Sequence, residues 1–205
     1  MIILCRSVKG GSGTTVTAAS LALLLAARHR GGGYLADLNG DQPATLGIPE
    51  PNGSAPHEVN AALQLLPRPM NVTATEMQWM SLATELASLG GPVVVDLGTL
   101  QPGKPLLDIT THSYLVTRPC YLALRRATAA LGNQKKEFDG VILIDEPGRA
   151  LTANDVATVL RLPVVARIAL DPAVSRSVDA GLLANRVPKC IDDSLADLIS
   201  LHVPH

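Results

Sequence analysis

The chain has 205 residues, 47% of them apolar, enough for one domain with a substantial core. Charged residues are only 17% and aromatics 2%, so that core must be built from Leu, Val, Ile and Ala. The net charge of -1 excludes a global electrostatic pull toward nucleic acid or anionic membrane, and any DNA contact has to come from a local patch.

Taken in chain order, residues 2–8 (IILCRSV) form an apolar run closed by glycines and read as a strand. TVTAASLALLLAARHR reads as a largely buried helix with cations at its C-terminal end, stopped by Gly31, Gly32 and Gly33. Residues 34–38 (YLADL) are a second strand that ends in the acidic-polar cluster DLNGDQP. Residues 48–57, rich in Pro, Gly and Asn, read as a surface loop, and 62–67 (ALQLLP) as a third strand. A helix is expected over 74–89, followed by PVVVDLG at 92–98, the clearest strand in the chain. Then come a strand at 112–119, a helix ending before Gly132, and a strand over 141–144. LTANDVATVLR reads as a helix capped by Thr152 or Asn154, and LPVVARIAL as a last strand. DPAVSRSVDAGLLANR and DDSLADLIS close the chain as helices, and no repeat or linker interrupts residues 1–205, which read as a single domain.

Strands that are apolar throughout and alternate with helices are buried on both faces. The expected fold is therefore α/β, three-layered, with a mostly parallel sheet and helices on both sides. In such sheets ligands sit beyond the carboxyl ends of the strands. The polar residues of interest fall at such ends: VKGGSGTT, DLNGDQP and Asp96 of VVVDLG.

VKGGSGTT joins the first strand to the first helix. Gly10, Gly11 and Gly13 allow a tight turn with inward N–H groups, and the helix N-terminus faces the same point. Ser12, Thr14 and Thr15 add hydroxyls, so the stretch reads as a phosphate cradle rather than an ordinary glycine turn. A standard P-loop ends Gly-Lys-Ser/Thr. Here it ends Gly13-Thr14-Thr15, with Thr15 where a magnesium-binding hydroxyl belongs and Thr14 where the phosphate-reaching lysine belongs.

K-G-G-S-G-T-T-V resembles the deviant Walker A motif of the ParA/MinD family, K-G-G-x-G-K-T-[ST]. The resemblance gives Lys9 the place of the family's signature lysine, which reaches across a nucleotide-sandwich dimer to the partner's phosphates. YLADLNGDQPATLGIPEP is similar to the family's second acidic motif, with Asp37 kept and Asn39 in place of the second, water-positioning aspartate. VVVDLG resembles the Walker B strand, with Asp96 holding the magnesium shell. YLVTRPCYLALRRA and RLPVVARIALDPAVSRSVDAGLL resemble segments of CpaE/TadZ-like members, so the likeness runs in order along nearly the whole chain.

The resemblance implies a cytoplasmic spatial regulator or assembly partner that acts as a homodimer. The contexts it suggests are pilus or secretion-system, division or partition placement, with protein partners of a polar or division-site assembly. Phosphoryl transfer depends on positioning and on positive charge at the γ-phosphate. Loss of the lysine at Thr14 and of the carboxylate at Asn39 predicts ATP and Mg2+ binding that is weak or absent, and slow hydrolysis at best. Asp41 is the carboxylate able to replace Asn39 if the loop is shifted. In that case Lys9, Asp37 and Asp41 rescue an active ATP-dependent dimerisation switch. A P-loop ligase of cofactor biosynthesis shares the fold, but Thr14 counts against it. Asp145 and Glu146, where the family often carries a base-recognising Asn, read as solvated strand-end residues.

The other features have plainer readings. Arg118, Arg125, Arg126, Lys135 and Lys136 read as a solvated face rather than a DNA site. The tail has an acidic polar face and reads as a packing helix rather than a membrane anchor. Cys5, Cys120 and Cys190 show no paired spacing, which fits a reducing compartment; Cys120 reads as a buried small residue. His202 and His205 are too isolated for a metal site. The MIILC start and the short run at 21–27 predict neither signal peptide nor transmembrane helix.

Overall fold

In the computed structural model, which describes residues 1–132 and 137–202, the apolar runs form one sheet and the segments between them cover both of its faces. The strands are β1 (Ile2–Arg6), β2 (Gly33–Asp37), β3 (His57–Glu58), β4 (Leu63–Pro67), β5 (Val93–Asp96), β6 (His112–Thr117), β7 (Gly140–Asp145) and β8 (Val164–Ala169). Their spatial order is β3-β4-β2-β5-β1-β6-β7-β8. Every neighbouring pair is parallel except β3 with β4. The mostly parallel α/β fold expected from the sequence is the one observed.

The helices are α1 (Thr14–Arg28), α2 (Gln42–Leu46), α3 (Glu76–Ala87), α4 (Lys104–Ile109), α5 (Tyr121–Leu131), α6 (Ala153–Leu160), α7 (Pro172–Asp179) and α8 (Lys189–Ser200). Alternate residues of each strand point to opposite faces. Ile3, Leu35, Val94, Val116 and Ile142 meet α1, α8 and Leu46 on one side. On the other, Leu4, Ala36 and Val95 meet Trp79 and Leu82 of α3 and Leu106 of α4. Leu115 and Leu143 on that side meet α5 and α6. Helix α1 is buried from Thr17 to Ala26 because the sheet, α2 and α8 surround it. That explains why its sequence is apolar on nearly every side.

Local chemistry sets several boundaries. Thr75 with Gln78, and Thr152 with Asp155, form capping boxes at the starts of α3 and α6. Cys120 is the N-cap of α5, its Sγ 3.4 Å from the Ala123 N–H, a role its reading as a buried small residue did not anticipate. Helix α7 stops at Asp179 instead of running on to 186, and α8 begins at Lys189. Its buried face of Ile191, Leu195, Leu198 and Ile199 packs on α1 and β8, as expected of a packing helix. Among the described residues no helix is long and apolar enough to cross a membrane. Arg125 and Arg126 are exposed on α5, while Lys135 and Lys136 lie outside the described residues. His202 is not isolated: its Nε2 lies 2.9 Å from the Tyr114 hydroxyl and its ring beside that of His112. His205 lies outside the described residues.

Three elements were hidden in the sequence: the two-residue β3, α4, and above all α2, which sits inside the acidic-polar cluster after β2. Helix α2 ends at Gly47, with φ of 73°, against the backbone of Gly181 just past α7. A Cβ on Gly47 would stand 2.3 Å from the Gly181 Cα. Gly47→Ala combines a left-handed backbone with that clash, so equilibrium urea unfolding is expected to show a loss of about 2–3 kcal/mol. A loss under about 0.5 kcal/mol, the size of an ordinary surface change, contradicts the close approach.

Candidate functional site

The β1–α1 loop is braced by its own polar groups and by the segment after β5. The Ser7 N–H donates to the Gly98 carbonyl at 2.8 Å, and the Ser7 hydroxyl lies 3.1 Å from the carbonyls of Gly98 and of Lys9. The Ser12 hydroxyl donates to the Lys9 carbonyl at 2.7 Å. Gly13 caps α1 with φ of 90°, and Ile144 Cγ1 stands 3.1 Å from where its Cβ would be. Glycine is therefore required there on two counts. The exposed outer face of the loop at Gly10 and Gly11 has nothing within 4 Å of an added Cβ. A cradle with room above it and a helix N-terminus below can take an anion.

Lys9 lies along the surface of the loop, its Nζ 3.2 Å from the Gly10 carbonyl. Thr14 is buried as the first residue of α1, and its hydroxyl oxygen has no partner. Beside Gly13, an apolar cleft of about 230 Å³ opens between α1, the ends of β7 and β8, and α7, walled by Val16, Ile144, Ile168 and Val174, with Arg118 at its edge. Asp145 and Glu146 do not face a free cleft. They are paired with Arg167 and Arg149, which supports their reading as strand-end surface residues.

The acidic side of the site is set by strand register. Asp37 and Asp96 end adjacent strands and are direct partners in the β2–β5 ladder, so two carboxylates meet at one point. Both are almost wholly buried. Asp37 is satisfied by backbone donors: the Asn39 and Gly40 N–H groups at 3.1 and 2.7 Å on Oδ1, and the Gln42 N–H at 3.0 Å on Oδ2. Asp96 accepts the Gly98 N–H at 2.9 Å on Oδ1 and the Gln42 amide at 2.9 Å on Oδ2. Burial pushes the Asp37 carboxyl above its ordinary value, against those N–H bonds. Burial likewise raises Asp96, to about 6; Gly98, Gln42 and the adjacent Thr15 favour its charged form, and Asp37 opposes it.

Gln42 is the residue that sequence reasoning missed. It opens α2, is wholly buried, and its Nε2 donates both to Asp96 and to the Thr15 carbonyl at 3.0 Å. Its Oε1 has no partner. Asp41, one residue earlier, is exposed and accepts from the Asn39 side-chain amide. The loop after β2 thus turns Asn39 and Asp41 outward and Gln42 inward. The structure brings together Gly10 to Thr15, Asp37 and Asp96, and leaves Lys9 and Asp41 at the surface.

No family model and no curated protein matches the sequence. Solved structures do match. One is a ParA family ATPase from Chlorobium tepidum TLS, at TM-score 0.77 and 20% identity over 97% of each chain. Another is the cell division ATPase MinD of Pyrococcus furiosus, at TM-score 0.76 and 20% identity over 98% of each chain. A third is the septum site-determining protein MinD of Pyrococcus horikoshii OT3, complexed with Mg-ADP, at TM-score 0.76 and 17% identity over 98% of this chain and 95% of that one. The chain therefore has a P-loop NTPase-type α/β fold. Within that class the fold is that of the ParA/MinD ATPases, as the sequence resemblance implied.

Magnesium accompanies the nucleotide in the Pyrococcus horikoshii structure. Thr15 and Asp96, the residues the resemblance assigns to it, stand together, with the Gln42 amide on Asp96 Oδ2 and on the Thr15 backbone carbonyl. Magnesium demands near-octahedral oxygen ligation. The two strand-end carboxylates are already engaged by protein N–H groups, and an amide nitrogen lies between Asp96 and Thr15.

Asp37→Ala would strip the acceptor from three backbone N–H groups of the turn after β2, that of Gln42 among them buried. The expected loss is about 2–4 kcal/mol by urea unfolding. Asp37→Asn keeps one acceptor and should lose roughly half of that. Equal stability of all three proteins contradicts the assigned role.

Proposed function

We propose that this chain is a ParA/MinD-type spatial regulator or assembly partner that works through homodimerisation, with a degenerate nucleotide site that hydrolyses ATP slowly or not at all. The carrying observation is Thr14. At the position where the resemblance expects a lysine, a short neutral side chain is buried in the first turn of α1 with its hydroxyl unpaired. A threonine hydroxyl can donate to a phosphate oxygen but supplies no charge.

What remains is a binding geometry. The loop from Gly10 to Thr15 and the α1 N-terminus attract an anion, and the apolar cleft beside Gly13 suits a flat ring such as a base. What is missing is positive charge at the transferring phosphoryl group and a carboxylate aimed at water, since Asn39 turns toward Asp41 at the surface. Each loss costs on the order of two to three decades in rate. Lys9 lies on the loop surface, its ammonium on the Gly10 carbonyl, and the resemblance gives it the role of reaching a second copy of the chain. Pilus or secretion-system, division and partition placement are the contexts in which such a dimer would act. An exposed Arg125–Arg126 pair does not by itself make a DNA site at a net charge of -1.

Calorimetry with ATP and ADP, and light scattering with and without nucleotide, test the reading. The wild type is expected to bind weakly or not at all and to keep its mass when ATP is added. Thr14→Lys with Asn39→Asp is expected to gain about tenfold or more in affinity and to turn ATP over. Tight binding and fast turnover by the wild type overturn the degenerate reading. A dimer that survives Lys9→Ala unchanged overturns the role of Lys9.

A further inference from the structure

Gln42 has a chemistry that the proposed regulator does not require. A glutamine is an ordinary surface residue. This one is wholly buried between two acidic strand ends, held by the two hydrogens of its amide, with its carbonyl oxygen left without a partner. Unpaired buried carbonyls are rare because they carry a desolvation cost. The side chain is therefore oriented by the need for a donor, not by the balance of its own two ends.

The demand for a donor is visible in the atoms around Nε2. Asp96 Oδ2 lies 2.9 Å away and the Thr15 carbonyl oxygen 3.0 Å away, with Asp37 on the neighbouring strand. Two oxygens converge there, beside a second buried carboxylate, in a site whose loop lacks its lysine. A point of that potential attracts a cation or a hydrated ion. The partial positive charge of an amide NH2 fills it from within. The same residue's backbone N–H donates to Asp37, so one residue neutralises both strand ends. Helix α2 fixes it there, through the Gly47–Gly181 contact with the end of α7.

We infer that Gln42 is a positioning residue that takes the place of a divalent cation in this site, so that any anion held by the loop is held without one. The inference concerns the same loop as the proposed function but does not require a nucleotide to be bound. Gln42→Glu is the sharpest probe because it keeps size and shape and turns the donor into a third oxygen. In Gln42→Glu, Asp96, the Thr15 carbonyl and the introduced carboxylate would form an oxygen cage that needs a metal ion or a proton.

Mn2+ binding can be counted by electron paramagnetic resonance on the nucleotide-free full chain, with thermal unfolding followed with and without millimolar MgCl2. The wild type is expected to bind no Mn2+ at this site and to show no Mg2+ shift in Tm. Gln42→Glu is expected to bind about one Mn2+ per chain, roughly tenfold or more tighter than any wild-type binding, and to gain several degrees in Tm with Mg2+. Asp96→Asn in the Gln42→Glu background should abolish the gain. Wild-type binding equal to that of Gln42→Glu overturns the inference, since the amide then yields to the ion. A Gln42→Glu protein that gains neither Mn2+ nor a Mg2+ shift at any pH from about 7 to 9, so that a shared proton does not account for it, overturns it as well, since no cation position lies at residue 42. A parallel arm with ADP alone reports on the nucleotide reading separately: its failure leaves the Mn2+ count intact.

Discussion

Two carboxylates buried side by side are the constraint on which the site depends. Asp37 and Asp96 are paired by the register of β2 and β5, so neither can move apart from the other without breaking the centre of the sheet. Burying one charge is costly, and burying two of the same sign is more so. Burial pushes both carboxyls up, Asp96 to about 6. The local backbone answers that strain on the charged forms. The turn after β2 presents three N–H groups to Asp37, and the turn after β5 presents one to Asp96. The Gln42 amide supplies the remaining donor. The shape of both loops follows from where their N–H groups must point.

The phosphate loop stands against this acidic corner through Ser7, which bonds the segment after Asp96. In an active phosphoryl-transfer site, fixed cations balance such acids and the incoming phosphates together. This chain lacks the cation at Thr14 and balances its acids with neutral donors. On the proposed reading, a site balanced internally has little need of an ion and little power to stabilise a charged transition state. Loop geometry and the proposed loss of catalytic charge are thus two sides of one electrostatic arrangement.

Much of the fold was legible because its signals are local. VVVDLG, GVILID and the apolar run after Met1 have the composition of strands buried on both faces, and none of the three is an edge strand: β5 and β1 are central and β7 lies between β6 and β8. The phosphate loop was legible because glycines at fixed spacing between a strand and a helix have few other uses. Thr152, one of two cap candidates in the sequence, is the N-cap of α6, while the cap of α3 at Thr75 emerged only from the structure. Gln42 was not legible. It lies in DLNGDQP, an acidic-polar cluster whose candidates were Asp37, Asn39 and Asp41, and only the folded turn into α2 reveals that the Gln42 side chain faces inward. The premature end of α7 was hidden for a similar reason: Gly47 and Gly181 meet across 134 positions of sequence, and neither glycine signals the other.

The central claim is that this is a nucleotide-type fold whose acidic corner is neutralised by the protein itself and not by a catalytic cation. Phosphate release from ATP by the wild-type chain, followed over hours with excess Mg2+ and again with the metal chelated, tests it most directly. The account predicts release that is slow or undetectable and indifferent to chelation. Fast release that collapses when Mg2+ is removed would contradict it.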